Sequence, residues 1–377
     1  MSEDILTVEH LKVGFRTERG VVHAVDDVSW TLRRGEVLSV VGESGSGKSV
    51  SAMTLMGLTR SNNAEISGTA TLADGTELVG LPEDQMRRIR GGRISMIFQD
   101  PMSALTPVYR IGDQIVEQIR AHEKVSKQAA NARAIDLLKR VGIPRAEERA
   151  RAYPHQFSGG MRQRVMIAMA LSCSPEILIA DEPTTALDVT IQAQILGEIE
   201  DLRTETGVGV LLITHDLGVV AEVADRVVVM YAGRVVEEAD LRELFKDPMH
   251  PYTWGLLGSI PRIDQARPAR LPTISGSPPS LLNPPAGCHF ITRCPHRIDA
   301  CHTEPELKSS AIGSLHRDRC LLPADEKRSL RVVNGSIGLP AAAVEAVPAG
   351  VDGPEAPTTQ GSLDSALGLD SPEGRLS

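Results

Sequence analysis

A chain of 377 residues with 41% hydrophobic side chains can build a large core and two or so domains, but at 3% aromatic residues that core must be packed with aliphatic groups. A net charge of −9 argues against a protein that binds nucleic acid by neutralising phosphates, so no nucleic-acid partner is expected. No apolar run reaches the ~18 residues of a membrane span, and the acidic N-terminal stretch MSEDILTVEHLKV does not read as a signal peptide.

Residues 5–32 alternate apolar and polar side chains (Ile5, Thr7, Val8, then Val21, Val22, Ala24, Val28, Trp30, Leu32), which predicts antiparallel strands joined by a loop at Arg16 to Gly20. Phe15, just before that loop, is either a core residue or a ring that could stack on an adenine.

The octapeptide Gly42-Glu43-Ser44-Gly45-Ser46-Gly47-Lys48-Ser49 satisfies G-x-x-x-x-G-K-[ST]. The apolar run Val37 to Val41 precedes it and the helix-like run Ser49 to Leu58 follows, the strand–loop–helix context that this pattern requires. Glycines let backbone N–H groups approach phosphate oxygens, and the helix that follows aims its positive dipole end at the same anion. Lys48 adds a charge that can reach β- and γ-phosphates, and Ser49 offers a hydroxyl to Mg²⁺.

Residues 64–81 read as a further hairpin with Asp74-Gly75 at its turn. Ile94 to Phe98 is a compact apolar strand that ends in Gln99, at the strand edge where parallel sheets bind ligands. Residues 110–172 show helical spacing (Ile111, Ile115, Ile119, then Ala134, Leu137, Leu138, Val141), with Gly142 and Pro144 as a stop and a charge-dense, solvated stretch at Arg145 to Arg151. Ser158-Gly159-Gly160-Met161-Arg162-Gln163-Arg164 opens another helix, with Ser158 as its N-cap. It is either an ordinary capped helix or, with two glycines leaving the first turn uncovered, an anion site.

Ile177 to Ala180 is a buried-strand run that ends in Asp181-Glu182. Such an acidic pair suits a metal ligand, Asp181, followed by a base, Glu182, that orients and deprotonates water. Val208 to Thr214 is a further parallel strand with His215 at the same edge, within reach of a γ-phosphate. Val227 to Tyr231 and Val235-Val236 form a last hairpin around Gly233.

Beyond residue 240 prolines multiply and periodicity weakens. Cys288, Cys294, Cys301 and Cys320 follow C-x5-C-x6-C-x18-C, which is not a zinc-finger pattern, and they are read as iron–sulfur ligands, structural zinc ligands or free thiols. Cys173 reads as a small core residue. Residues 326–377, rich in Ala, Pro, Gly, Ser and acids, read as a disordered tail.

Over residues 5–240 these motifs, in this order, resemble the ATP-binding cassette ATPases: Gly42 to Ser49 as Walker A, Gln99 as the Q-loop glutamine, Phe157-Ser158-Gly159-Gly160-Met161 as the signature, Ile177 to Glu182 as Walker B, Ala186-Leu187-Asp188 as the D-loop and His215 as the switch histidine. The signature departs from the more usual LSGGQ. The stretches Phe98 to Pro107, Tyr153 to Arg164, His250-Pro251-Tyr252-Thr253 and Gly287 to Pro295 are similar to the ATPase subunits of dipeptide and oligopeptide importers, a group that includes nickel importers. Thr106 stands where those subunits more often have Asn.

The resemblance implies an α/β fold: a P-loop core with an N-terminal antiparallel β-subdomain and a helical subdomain (about 100–172) within residues 1–240. A small irregular cysteine-rich domain (241–325) and the tail (326–377) follow. It implies that ATP binds Phe15, Gly42 to Ser49 and Gln99, and that Mg²⁺ binds Ser49, Gln99 and Asp181. Glu182 and His215 are catalytic, and Ser158, Gly159 and Gly160 touch ATP held by a partner ATPase, more often a different chain. Cys288, Cys294, Cys301 and Cys320 fall on the four positions that hold a [4Fe–4S] cluster in some members, with zinc as the alternative. The implied setting is the cytoplasmic face of a membrane, with two permease subunits and an extracytoplasmic peptide-binding protein. The remaining readings are an importer ATPase for nickel or another small solute, a cassette ATPase uncoupled from transport and a non-catalytic assembly subunit, the last opposed by the presence of Glu182 and His215.

Overall fold

The computed structural model describes residues 3–100, 104–184, 189–260, 273–309 and 315–333. The alternating run folds as β1 (Asp4–Thr17) and β2 (Gly20–Arg33), antiparallel with Thr17 opposite Gly20. After β3 (Val37–Val41) and the helix Lys48–Leu55, β4 (Ala64–Leu72) pairs with the other edge of β1, so a three-stranded sheet runs β2–β1–β4. The turn expected at Asp74-Gly75 is present: Gly75 takes φ 84°, and Glu77 bridges back to Thr71.

The unbroken apolar runs become the wholly buried strands β3, β5 (Ile94–Ile97), β6 (Ile177–Asp181) and β7 (Gly209–Ile213), paired in parallel. Strands covered on both faces have no need for polar alternation. β8 (Arg226–Tyr231) lies parallel to β3 and turns at Gly233 into antiparallel β9 (Arg234–Asp240). With β10 (Lys308–Ser309) and β11 (Arg317–Asp318) the large sheet runs β10–β11–β9–β8–β3–β7–β6–β5, so the phosphate loop leaves from a central strand. Ile5, Leu6 and Leu32 of the small sheet share one core with Leu38, Ile179 and Leu211 of the large one.

The helices Ile111–His122, Lys127–Arg140 and Gly159–Ala170 bury the side chains whose spacing predicted them, among them Ile111, Ile115, Ile119, Ala134 and Leu138, against Val165 and Leu178. The stretch 145–151, expected to be plain solvated surface, contains the short helix Ala146–Arg149, because Ala146 and Ala150 are buried beneath its charges. Cys173 is only half-buried.

The region beyond residue 240 does not stand apart as a cysteine-rich domain. β11 adds to the large sheet by pairing with β9, and Tyr252, Leu257, Phe290, Cys288 and Cys294 pack with Val41, Val229 and Tyr231 in one core. Proline-rich loops carry too few apolar side chains to close a core of their own, so they use that of the sheet. Buried charges complete the junction. Glu237 accepts Met249 N–H (2.6 Å), His250 N–H (2.9 Å) and His316 Nε2 (2.7 Å), and Glu238 takes Arg317 from beyond residue 240 as well as Arg226 of β8 (2.5 Å).

Residues 326–333, expected to belong to the tail, are instead helical. The helix Ala324–Val333 docks through buried Lys327 on Asp318 (2.6 Å) and Arg331 on Asp247 (2.7 Å). Residues 334–377, most of the tail expectation, and Ala186-Leu187-Asp188 lie outside the described residues. Among the described residues no helix is long and apolar enough to cross a membrane.

Candidate nucleotide-binding site

The phosphate loop is shaped by close backbone approach. A Cβ on Gly42 would lie 2.1 Å from the Met230 carbonyl oxygen, and one on Gly47 would lie 2.3 Å from that of Ala24. Both residues also have positive φ (150° and 99°), where a side chain is strained. The loop wraps the buried Lys48 ammonium, which donates to Gly42 O (2.8 Å), Glu43 O (2.9 Å) and Ser46 Oγ (3.4 Å). Burial lowers the Lys48 pKa, while the nearby carboxylates of Glu182, Asp181 and Glu43 oppose that shift.

Both acids at the end of β6 face this loop. Ser49 Oγ donates to Asp181 Oδ1 (2.9 Å), joining two of the three residues expected to hold Mg²⁺. Burial, with Glu182 next door, raises the Asp181 pKa against the pull of the Ser49 hydroxyl. A divalent cation would supply the missing positive charge. Glu182 takes φ 48°, a left-handed backbone uncommon for a side-chain-bearing residue, and its N–H donates to Ile213 O of β7 (2.8 Å). Its carboxylate then meets Gln99 Nε2 (2.9 Å) at Oε2 and His215 Nδ1 (3.1 Å) at Oε1. Two residues, from just beyond the ends of β5 and β7, therefore converge on one carboxylate just beyond the end of β6. Gln99, expected also as a metal ligand, is here engaged by Glu182, while Asp181 is held by Ser49.

The helix Gly159–Ala170 is capped as expected: Ser158 Oγ accepts Met161 N–H (3.3 Å). Ser158 and Gly159 are exposed, and a Cβ on Gly159 would meet nothing within 4 Å in this chain. Gln163 instead points inward, donating to Pro183 O (2.5 Å) just beyond Glu182. Phe15 is half-buried against the core and pairs with Val22, two residues along β2 from the Ala24 carbonyl that abuts Gly47. The strand paired with it, β2, thus runs beside the phosphate loop.

A family model described as ABC transporter matches residues 25–185, and one described as oligopeptide/dipeptide transporter, C-terminal region, matches residues 236–301. The dipeptide transport ATP-binding protein DppD of Bacillus subtilis is 54% identical over 299 residues, 79% of this chain and 89% of that protein. The chain belongs to the ABC transporter ATP-binding proteins. The oligopeptide transport ATP-binding protein OppD of Mycobacterium tuberculosis is also 54% identical, over 319 residues and 84% of this chain; the chain spans about half (52%) of its length. Among solved structures, the dimeric ATP-binding cassette MJ0796 bound to ADP and Pi superposes with a TM-score of 0.57 at 28% identity, covering 63% of this chain and 98% of that one.

In this ABC protein the four C-terminal cysteines line one cavity, beside His250 and Arg319. Burial pushes the Cys294 thiol up to about 11 and the Cys320 thiol up to about 12, and Cys288 also rises. Among the described residues no group of three His, Cys, Asp or Glu side chains is spaced to hold a metal ion, so the thiols share a cavity without forming a ready ligand set. One buried donor there is unsatisfied: Arg319 Nε has no hydrogen-bond partner, although its Nη2 reaches Asp27 (2.8 Å).

Two residues at the site escaped the sequence reading. Tyr252 and Arg293 both contact Glu43, from 209 and 250 residues away. Each falls in a stretch that resembles the peptide importers, but no local pattern ties either to a phosphate loop.

Proposed function

We propose that this chain binds and hydrolyses Mg·ATP and thereby powers import of di- or oligopeptides. The observation that carries the reading is the convergence of Lys48, the Ser49–Asp181 pair and Glu182, with Gln99 and His215, at the C-terminal ends of parallel strands. Gly42 to Ser49 cradle the triphosphate. Ser49 and Asp181 hold Mg²⁺ with Gln99 as third contributor, Glu182 activates water and His215 steadies the transferring phosphoryl group. Phe15 stacks on the adenine from β1, which pairs with the strand beside the loop.

Ser158, Gly159 and Gly160 contact ATP held by a second ATPase subunit, a different chain. The open space over Gly159 and the dimeric form of MJ0796 support this. The relatives' names and the match to a peptide-transporter C-terminal region support peptides as cargo. The chain sits peripherally on the cytoplasmic face of a membrane, with two permease subunits and an extracytoplasmic peptide-binding protein. Purified with co-expressed permeases, the complex is expected to hydrolyse ATP faster when peptide-loaded binding protein is added. Hydrolysis indifferent to peptide, with no membrane companion recovered, would overturn the transport reading.

Cys288, Cys294, Cys301 and Cys320 hold a [4Fe–4S] cluster. What supports this is the kind of donor gathered there, four thiols around one cavity that would have to draw together on the cluster, with an unsatisfied Arg319 N–H suited to an anionic group. When bound, such a cluster ties the four loops together. Without it burial keeps Cys288, Cys294 and Cys320 protonated, so loading must release those protons. Anaerobically purified protein should contain about four iron and four sulfide per chain, and Cys301→Ser should lose both. One zinc per chain would replace the cluster with a zinc site, and neither metal would leave free thiols.

A further inference from the structure

Glu43, the second residue of the phosphate loop, is held at three points. Its carbonyl accepts Lys48 Nζ (2.9 Å), its N–H donates to Tyr252 Oη (2.8 Å), and its carboxylate takes both terminal nitrogens of Arg293 (Nη1–Oε2 2.7 Å, Nη2–Oε1 3.0 Å). Only the first of these holds comes from the loop itself. Tyr252 and Arg293 come from the region after residue 240. Tyr252 is fully buried, and the Arg293 side chain is 4% exposed.

Arg293 is itself fixed on every side. Nε donates to Ser275 O (3.0 Å), Nη2 to Ile274 O (3.1 Å) and Nη1 to Tyr231 Oη (3.3 Å), and the guanidinium lies 5.7 Å from the centre of the Tyr231 ring. A two-pronged contact from an arginine this constrained sets position as well as charge.

We propose that Arg293 and Tyr252 are positioning residues for the phosphate loop, so that the C-terminal extension sets the loop's affinity for nucleotide. Arg293 acts in two ways. It fixes the loop through the Glu43 side chain, and it neutralises a carboxylate that would otherwise stand unpaired beside an incoming polyphosphate. Tyr252 pins the Glu43 backbone, so that the Glu43 carbonyl stays on Lys48. Arg293 immediately precedes Cys294, so the chain that lines the cysteine cavity also carries the clamp.

The inference rests on the nucleotide-binding reading, and the experiment separates the two. Mg·ATP binding to the full chain is measured by calorimetry for wild type, Arg293→Ala, Tyr252→Phe and Arg293→Ala combined with Glu43→Gln, with circular dichroism to verify folding. Arg293→Ala should weaken Mg·ATP binding by at least about tenfold, the scale of one hydrogen bond to a charged group, and raise KM more than it lowers kcat. Tyr252→Phe, which removes one acceptor and little else, should weaken binding about threefold. Adding Glu43→Gln to Arg293→Ala should restore much of the loss by removing the unpaired charge. Should Arg293→Ala and Tyr252→Phe both bind like wild type, or should Glu43→Gln restore nothing, the clamp is wrong. A wild-type chain that does not bind Mg·ATP would instead sink the nucleotide reading, and the clamp with it.

Discussion

Replacing Glu182 with Gln should leave Mg·ATP binding intact and cut steady-state hydrolysis by about 10²–10⁴-fold, the usual contribution of a positioned base. The substitution keeps the size of the side chain and one carbonyl oxygen, and it removes only the capacity to take a proton from water. Glu182 suits that role by position. Its left-handed backbone costs about 1–2 kcal/mol and is held in place by the hydrogen bond from its N–H to Ile213 O. Its carboxylate is met by Gln99 on one oxygen and by His215 on the other, so it is oriented before substrate arrives. Single-turnover hydrolysis beside equilibrium binding measures the split. Near-normal turnover would remove Glu182 as the base and leave it a structural link between Gln99 and His215.

What could be read from the sequence was what is contiguous in it. Gly42 to Ser49 and Asp181-Glu182 carry their chemistry within a few residues, and each stands at the end of an apolar run that needs only a parallel sheet to bring it to a common edge. The convergence of Gln99, Glu182 and His215 follows once β5, β6 and β7 lie side by side. The left-handed turn at Glu182 left no trace, because no glycine or asparagine marks it. The docking of the C-terminal region was hidden for a different reason. Its attachment runs through largely buried ion pairs such as Arg293–Glu43 and Arg319–Asp27, and charged residues read in sequence as solvated surface. The same bias turned residues 326–333 of the helix Ala324–Val333, with Asp325 and Glu326 in its first turn, into the start of a tail. Tyr252 and Arg293 were invisible at the loop because their partner lies more than two hundred residues away.

Replacing Lys48 with Ala should lower affinity for Mg·ATP by about 10²-fold or more, since two hydrogen bonds from a charged group are each worth about 1.5–3 kcal/mol. Beyond those bonds, Lys48 is the cation amid the carboxylates of Asp181, Glu182 and Glu43, of which Glu43 has a second partner in Arg293. Its removal leaves the acids facing a polyphosphate with less positive charge between them. The loss should therefore grow with the number of phosphates: severe for ATP, smaller for ADP and near zero for adenosine. That gradient separates two roles that the structure gives the same side chain, because Lys48 also latches the loop through Gly42 O and Glu43 O. If the latch dominates, the loop relaxes and all three ligands weaken alike. If charge dominates, adenosine binds as before while ATP is lost. Calorimetric titration of wild type and Lys48→Ala with the three ligands gives the gradient directly, and undiminished ATP affinity would take the phosphate site away from this loop.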